Sequence, residues 1–232
     1  MLEVHTDNRR ILALIPARGG SKSIPRKNLN EIAGRPLICW SIMEALKCQR
    51  LSRVVVSTDD LEIARVAVEC GADVPFLRPA EFARDDTPGI EPVLHALREL
   101  PNFDFVMVLQ PTSPLRTKSD MDAAIDLMFE RNADSVVSVT ETDAHPMWTY
   151  DLDEGGRLRP LHKSKPVLRR QELPRAYVLN GAIYLSRVAQ LQGAGSLVTN
   201  ETLALTMPQE RSIDIDTPFD WKIAEFLLKN QL

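Results

Sequence analysis

A chain of 232 residues can bury roughly 70% of its unfolded surface in one large domain, so it needs neither disulfides nor metal to fold. With 44% hydrophobic and 26% charged residues and a mean hydropathy of -0.16, it is excluded from the disordered, collagenous and membrane-spanning classes. Its net charge of -4, from 28 basic and 32 acidic side chains, gives no global attraction to nucleic acid or an anionic membrane, so a polyanionic ligand requires a local basic site.

The stretch Met1 to Arg10 lacks the apolar core of a signal peptide, and no apolar run approaches the ~18 residues of a membrane span. Cys39, Cys48 and Cys70 have no CxxC spacing and fall on helical segments or their edges, so they are expected to be reduced thiols of a cytoplasmic protein. Buried parallel strands are predicted at Ile11 to Ile15, Val54 to Ser57, Phe105 to Leu109 and Ser135 to Val139, where short β-branched runs occur. Crossover helices are predicted at Pro36 to Leu46 and at Leu61 to Cys70, the second stopped by Gly71. Ser119 and Asp122 suggest a capping box for a helix reaching Arg131. Thr217, Pro218 and Asp220 give N-cap, N1 and N3 of a last helix ending near Leu228. This order predicts one α/β domain over 1–232, a doubly wound and mostly parallel sheet that binds ligands beyond the carboxyl ends of its strands. Between Thr142 and Ala176, Gly155, Gly156, Pro146, Pro160 and Pro166 break the rhythm, which reads as an inserted excursion, a small lobe or dimerisation arm.

Immediately after the first strand, Pro16 to Asn28 concentrates Arg18, Lys22, Arg26 and Lys27 with no acid among them. Gly19 and Gly20 permit close backbone approach to oxygens, Ser21 adds a hydroxyl, and the cations suit a triphosphate. The loop has neither the glycine spacing of a P-loop nor a G-x-G-x-x-G turn, which argues against P-loop kinases and dinucleotide dehydrogenases. Near the other end, Asp214 and Asp216 in extended chain point to the same side with Cα atoms roughly 6.6 Å apart. Such a pair can share one magnesium with substrate phosphates, although Asp216 could instead assist the helix cap at Thr217.

The run Ala17-Arg18-Gly19-Gly20-Ser21-Lys22-Ser23-Ile24-Pro25-Arg26-Lys27-Asn28 resembles the signature of the acylneuraminate cytidylyltransferases, which activate nine-carbon keto sugar acids. The likeness continues through Ser57-Thr58-Asp59, Leu77 to Glu81, Gln110 to Arg116, Asn180 to Tyr184 and Asp214 to Thr217, in the family's order. It implies a magnesium-dependent reaction of CTP with a nonulosonic acid, carried by Arg18, Lys22, Lys27 and the metal pair Asp214 and Asp216. By the same match Ala17, Arg18, Ser21, Lys22, Lys27, Asn28 and Arg78 contact the nucleotide. Thr87 stands in for a hydroxyl lost where Asp85 to Gly89 departs from the family's serine-rich form. Gln110, Arg170, Asn180 and Tyr184 fall to the sugar, with Arg170 as the fork for its carboxylate. Trp148 stands where some sialate-using relatives have lysine; its apolar face suggests a less hydroxylated sugar such as legionaminic acid, unless it only packs in the small lobe. The alternatives are a ketodeoxyoctonate cytidylyltransferase, whose first loop has a different character, and a noncatalytic nucleotide-sensing module. The partners expected are CTP, the sugar and a second copy of the chain, with no nucleic acid and no membrane.

Overall fold

The computed structural model describes residues 9–162 and 169–231, with Arg170 and Gln231 described by backbone alone. In chain order, β1 (Ile11–Pro16) leads through the short pair β2 (Glu31–Ile32) and β3 (Arg35–Pro36) into α1 (Leu37–Lys47), β4 (Arg53–Ser57) and α2 (Leu61–Glu69). The alternation continues with α3 (Glu91–Glu99), β5 (Phe105–Val108), α4 (Lys118–Glu130) and β6 (Ser135–Glu141). A hairpin of β7 (Tyr150–Leu152) and β8 (Leu158–Pro160) precedes β9 (Tyr177–Arg187), α5 (Val188–Ala194), β10 (Leu203–Thr206) and α6 (Pro218–Gln231).

Six strands form the main sheet in the order β10-β6-β9-β5-β1-β4. Strands β4, β1 and β5 are mutually parallel, as are β10 and β6, which fits the expected α/β class. The runs are apolar throughout because both faces are covered. Ile11, Ala13 and Ile15 pack with residues of α1 and α4, while Leu12 and Leu14 pack with Val93, Ala96 and Leu97 of α3. Strand β9 was not legible in the sequence, and it runs antiparallel to both neighbours. That reversal places its first half at the carboxyl ends of β5 and β6, where the register slips between Val137 and Val139. Gly181, at φ +71°, lies in this irregular stretch.

The helix ends follow elementary capping rules with one correction. The capping box of α4 is built by Thr117 and Asp120, two residues before the expected pair: each backbone N–H donates to the other's side chain. Thr117 lies before the first helical residue and can offer its hydroxyl, whereas Ser119 is already inside the helix. Thr217 and Asp220 cap α6 as expected, and Gly71 at φ +97° follows α2.

The expectation of three reduced thiols is overturned. Cys39 of α1 and Cys70 at the end of α2 form a disulfide, with Cα atoms 5.7 Å apart, and Cys48 is free and buried. A separation of 31 residues carries no pairing signal; packing α2 beside α1 creates it. Among the described residues no helix is long and apolar enough to cross a membrane.

The segment that carries the aspartate pair is anchored from outside the sheet. Arg211 grips buried Asp120 with Nε donating to Oδ2 at 3.0 Å and Nη2 to Oδ1 at 2.9 Å. Burial alone would raise the Asp120 carboxyl, but hydrogen bonds from Arg211 and Thr117 prevail and hold it below the usual carboxylate range. Replacing Asp120 by alanine removes this pair and the cap, and is expected to cost about 2–3 kcal/mol at pH 7 in urea unfolding. A carboxylate with a depressed folded pKa stabilises above its unfolded value near ~3.9, so the gap between wild type and variant should close as pH falls below about 4.

Candidate active site

A cavity of about 750 Å³ opens at the carboxyl ends of β1 and β5. The loop after β1 supplies Arg18, Ser21, Lys22, Lys27 and Asn28 to its lining, and the far side presents Gln110, Thr112, Tyr184, Asp214 and Asp216. Arg78, Asp85 and Thr87 complete the wall. Parts of the chain almost 200 residues apart therefore meet in one cleft.

Backbone hydrogen bonds hold the basic loop. The Ala17 N–H donates to Ser57 O at 2.9 Å, which closes this buried residue into the core, and Asn28 Nδ2 donates to Arg18 O at 3.1 Å. Gly19 N–H donates to Asp59 Oδ1 at 3.1 Å. A Cβ at Gly19 would stand 2.7 Å from Asp60 Oδ2, so the close approach to the N-cap of α2 requires glycine. Arg26 leaves the phosphate face: Nη2 donates to Glu62 Oε2 at 2.5 Å.

Arg78 is the most telling cation. Its side chain is only 3% exposed, its Nη2 lies 3.7 Å from Asp59 Oδ1, and among the described residues Nε and Nη2 have no hydrogen-bond partner. Burial lowers its pKa against the pull of Asp59. A desolvated guanidinium with unfilled donors at a cavity wall calls for a ligand acceptor.

Two of the anticipated phosphate cations share one acid. Asp85 bridges Arg18 Nη1 at 2.8 Å and Lys22 Nζ at 2.5 Å, and the hydrogen bond from Lys22 leads in holding this carboxyl below its usual range. Lys27 points elsewhere than expected. Its Nζ donates to Ile215 O at 2.5 Å and lies 3.5 Å from Asp216 Oδ1, so it ties the loop to the aspartate segment.

Asp214 is half-buried and Asp216 exposed. Burial raises the Asp214 carboxyl, a hydrogen bond from Thr112 opposes this, and Asp216 adds to the rise. Its Oδ1 is buried with no hydrogen-bond partner among the described residues. Asp216 does share in the helix start, through its N–H donated to Asp220 Oδ2 at 3.1 Å, while its side chain stays at the cleft.

The sugar residues divide. Gln110 and Tyr184 line the cleft, and burial raises the Tyr184 phenol, with Asp214 adding to it. Thr87 also lines it, its hydroxyl donating to Glu81 O at 3.0 Å. Asn180 is buried away from the cleft lining: Oδ1 accepts from Ser138 Oγ and Ala182 N–H, and Nδ2 donates to Ser212 Oγ at 2.9 Å. That bonding makes it a brace between β6, β9 and the aspartate segment. Trp148 sits on a turn beside His145 and does not line the cleft. The Arg170 backbone opens a single turn at Arg170–Glu172, and its side chain lies outside the described residues.

Three residues with a part in the cleft carried no separate signal in the sequence: Thr112 on Asp214, Asp85 on the basic loop, and buried Arg116 behind Gln110. Thr112 and Arg116 lie inside the Gln110 to Arg116 motif, and Asp85 inside the departure from the serine-rich form, but contact alone separates them from their neighbours.

The family model described as "Cytidylyltransferase" matches residues 12–192. The CMP-N,N'-diacetyllegionaminic acid synthase of Legionella pneumophila is 39% identical over 95% of this chain and 97% of its own length. The pseudaminic acid cytidylyltransferase of Campylobacter jejuni is 31% identical over 94% and 96%. The chain belongs to the CMP-nonulosonic acid cytidylyltransferase family. This cytidylyltransferase also shares its fold with a CMP-2-keto-3-deoxy-manno-octonic acid synthetase solved with CTP, at a TM-score of 0.74 and 19% identity, covering 96% of this chain and 100% of that one. A 4-diphosphocytidyl-2C-methyl-D-erythritol synthase from Anaerococcus prevotii superposes with a TM-score of 0.66 at 14% identity, over 96% of this chain and 100% of its own.

Proposed function

We propose that this cytidylyltransferase joins CTP to a nonulosonic acid of the legionaminate type, giving a CMP-sugar and pyrophosphate. One observation carries the reading: Arg18, Lys22 and buried Arg78 line a single cleft together with Asp214 and Asp216. The anomeric oxygen attacks the α-phosphorus and a new P–O bond forms as the hydroxyl gives up its proton. The bond from the α-phosphorus to the bridging oxygen breaks, and its electron pair leaves with pyrophosphate.

The chain's own residues position the reactants and offset their charge. Arg18, Lys22 and Ser21 hold the triphosphate, taking the place that Asp85 fills in the free protein. Arg78, Asn28 and Thr87 hold the nucleoside. Gln110 and Tyr184 receive the sugar, and the Arg170 fork its carboxylate. The partnerless Oδ1 of Asp214, with Asp216 two residues on, fits a hard cation that takes one or two carboxylates and completes its shell from water and phosphate. Magnesium held there would supply positive charge to the phosphate oxygens.

The legionaminate assignment is supported by the 39% identity to the Legionella synthase and by the apolar face of Trp148. Because Trp148 does not line the cleft of its own chain, this reading brings it to the site of a second copy. Exposed Tyr150, Leu152, Leu158 and Leu161 of the hairpin, with Tyr177, Val178 and Leu179 at its base, provide an apolar face for such a homodimer. With this reading we also propose a cytoplasmic protein, as the reaction needs a supply of CTP.

Pyrophosphate release with CTP, magnesium and a panel of nonulosonic acids tests the reading. N,N'-diacetyllegionaminate is expected to give a kcat/KM about tenfold or more above N-acetylneuraminate, a difference of about 1.4 kcal/mol, and Trp148→Lys to narrow it. No release with any acid would overturn the function, and a preference for N-acetylneuraminate the sugar assignment.

A further inference from the structure

Arg116 lies within the Gln110 to Arg116 motif, does not itself line the cleft, and is 1% exposed. A buried guanidinium is ordinarily matched by a carboxylate, because desolvating an unpaired charge is costly. Here none of the described residues brings one into contact with it. Burial lowers its pKa to about 10, with Asp120 and Glu44 only opposing from a distance, so it remains a cation at neutral pH. Its partners are two backbone carbonyls and a hydroxyl. Nη1 donates to Ala182 O at 2.6 Å and to Gln110 O at 3.3 Å, and Nη2 donates to Ser41 Oγ at 2.6 Å. Ser41 Oγ lies 3.4 Å from Gln110 O and closes the node.

The two carbonyls belong to the segments that meet in the cleft. Gly181, next to Ala182, is so close to the site that an added Cβ would stand 2.8 Å from Gln110 Oε1 and 3.1 Å from Asp214 Oδ2. The gap between the Gln110 side chain and the Asp214 carboxylate is thus bounded by the backbone at 180–182. The guanidinium ties that backbone to the carbonyl of Gln110 itself and both to α1. A planar fork donates to three acceptors in fixed directions, which an ammonium on a flexible stem does not reproduce.

We infer that Arg116 is a positioning residue of the transfer reaction: it fixes the spacing of Gln110 from Asp214, and hence the approach of the sugar hydroxyl to the reacting phosphate, without touching either substrate. The inference rests on the cytidylyl-transfer reading and adds a task to a residue outside the cleft. Its effect should divide cleanly, because Arg18, Lys22 and Arg78 lie on elements that Arg116 does not bond.

The experiment compares wild type, Arg116→Met, Arg116→Lys and Ser41→Ala by steady-state kinetics, CTP binding calorimetry and thermal unfolding. In Arg116→Met, kcat should fall about 100-fold, the scale for a misplacement near 1 Å. The sugar KM should rise, while the CTP Kd stays within about twofold. Arg116→Lys, keeping charge without the fork, should fall between wild type and methionine, and Ser41→Ala should lose about threefold in kcat as one leg of the node is removed. A merely structural arginine lowers the melting temperature without changing kcat of the folded enzyme, and that result overturns the inference. So does a CTP Kd that rises in step with the loss of kcat. If neither arginine variant folds, Ser41→Ala decides: unchanged kcat overturns the inference, and a lowered kcat with unchanged CTP Kd supports it. An inactive wild type would instead remove the transfer reading, so the two failures are distinct.

Discussion

Asp214→Asn is expected to lower kcat and kcat/KM together by about 1,000-fold, the signature of an interaction made chiefly in the transition state. Asparagine preserves the shape of the side chain, but a neutral amide oxygen is a far weaker ligand for a hard cation than a carboxylate. The fold should survive intact. In the wild-type chain the Asp214 carboxylate is half-buried and its Oδ1 has no partner, so ionising it there is a cost to the folded state. The amide removes that cost, and urea unfolding at pH 7 should find the variant at least as stable as wild type. Activity and stability therefore move in opposite directions, as they do when a site is built at the expense of the core. A variant that keeps near wild-type kcat would take Asp214 out of the metal site. A variant that loses activity because it unfolds would leave the desolvation argument wrong.

Gly181→Ala is expected to damage both properties at once. At φ +71° a side chain costs about 1–2 kcal/mol for the left-handed backbone alone. The added Cβ would also meet Gln110 Oε1 at 2.8 Å, Asp214 Oδ2 at 3.1 Å and Ser113 Oγ at 3.2 Å. Gln110 can swing its terminal amide away, so packing strain stays moderate, and the total loss in urea unfolding should be about 1–3 kcal/mol. The Gln110 amide, however, is the group assigned to the sugar. Displacing it, or pushing Asp214 aside, should reduce kcat/KM for the sugar about 100-fold. Steady-state kinetics with each substrate varied in turn checks this. Unchanged sugar kinetics in a destabilised variant would confine Gly181 to a backbone role.

The aspartate that caps α2 and the glycine beside it illustrate how local rules and tertiary contacts divide the work. Asp60 caps α2 through local contacts, its Oδ1 accepting from the Glu62 and Ile63 N–H groups. That its neighbour Asp59 fastens Gly19, 40 residues earlier, is not legible, because nothing in either segment specifies the other. The cations behave similarly. Composition marks the loop after β1 as a phosphate site, yet only the folded chain turns Lys27 toward Ile215 O and Arg26 toward Glu62, leaving Arg18 and Lys22 on Asp85.

Sequence by itself determined the class, the strands β1, β4, β5 and β6, and the helices α1, α2, α4 and α6. Apolar runs buried on both faces are strands between two helix layers, and the cap at Thr217 follows from side chains that satisfy open N–H groups within a few residues. It also determined the chemistry on offer, since basic glycine-rich loops and paired aspartates carry their meaning in residue type and short spacing. Tertiary structure alone decided the antiparallel run of β9, the Cys39–Cys70 bond, the node around Arg116 and the burial that leaves Arg78 and Asp214 with unfilled polar atoms. Each of these joins segments distant in the chain, and the energy that fixes them, desolvation and directional hydrogen bonding in a packed interior, exists only after the segments have met.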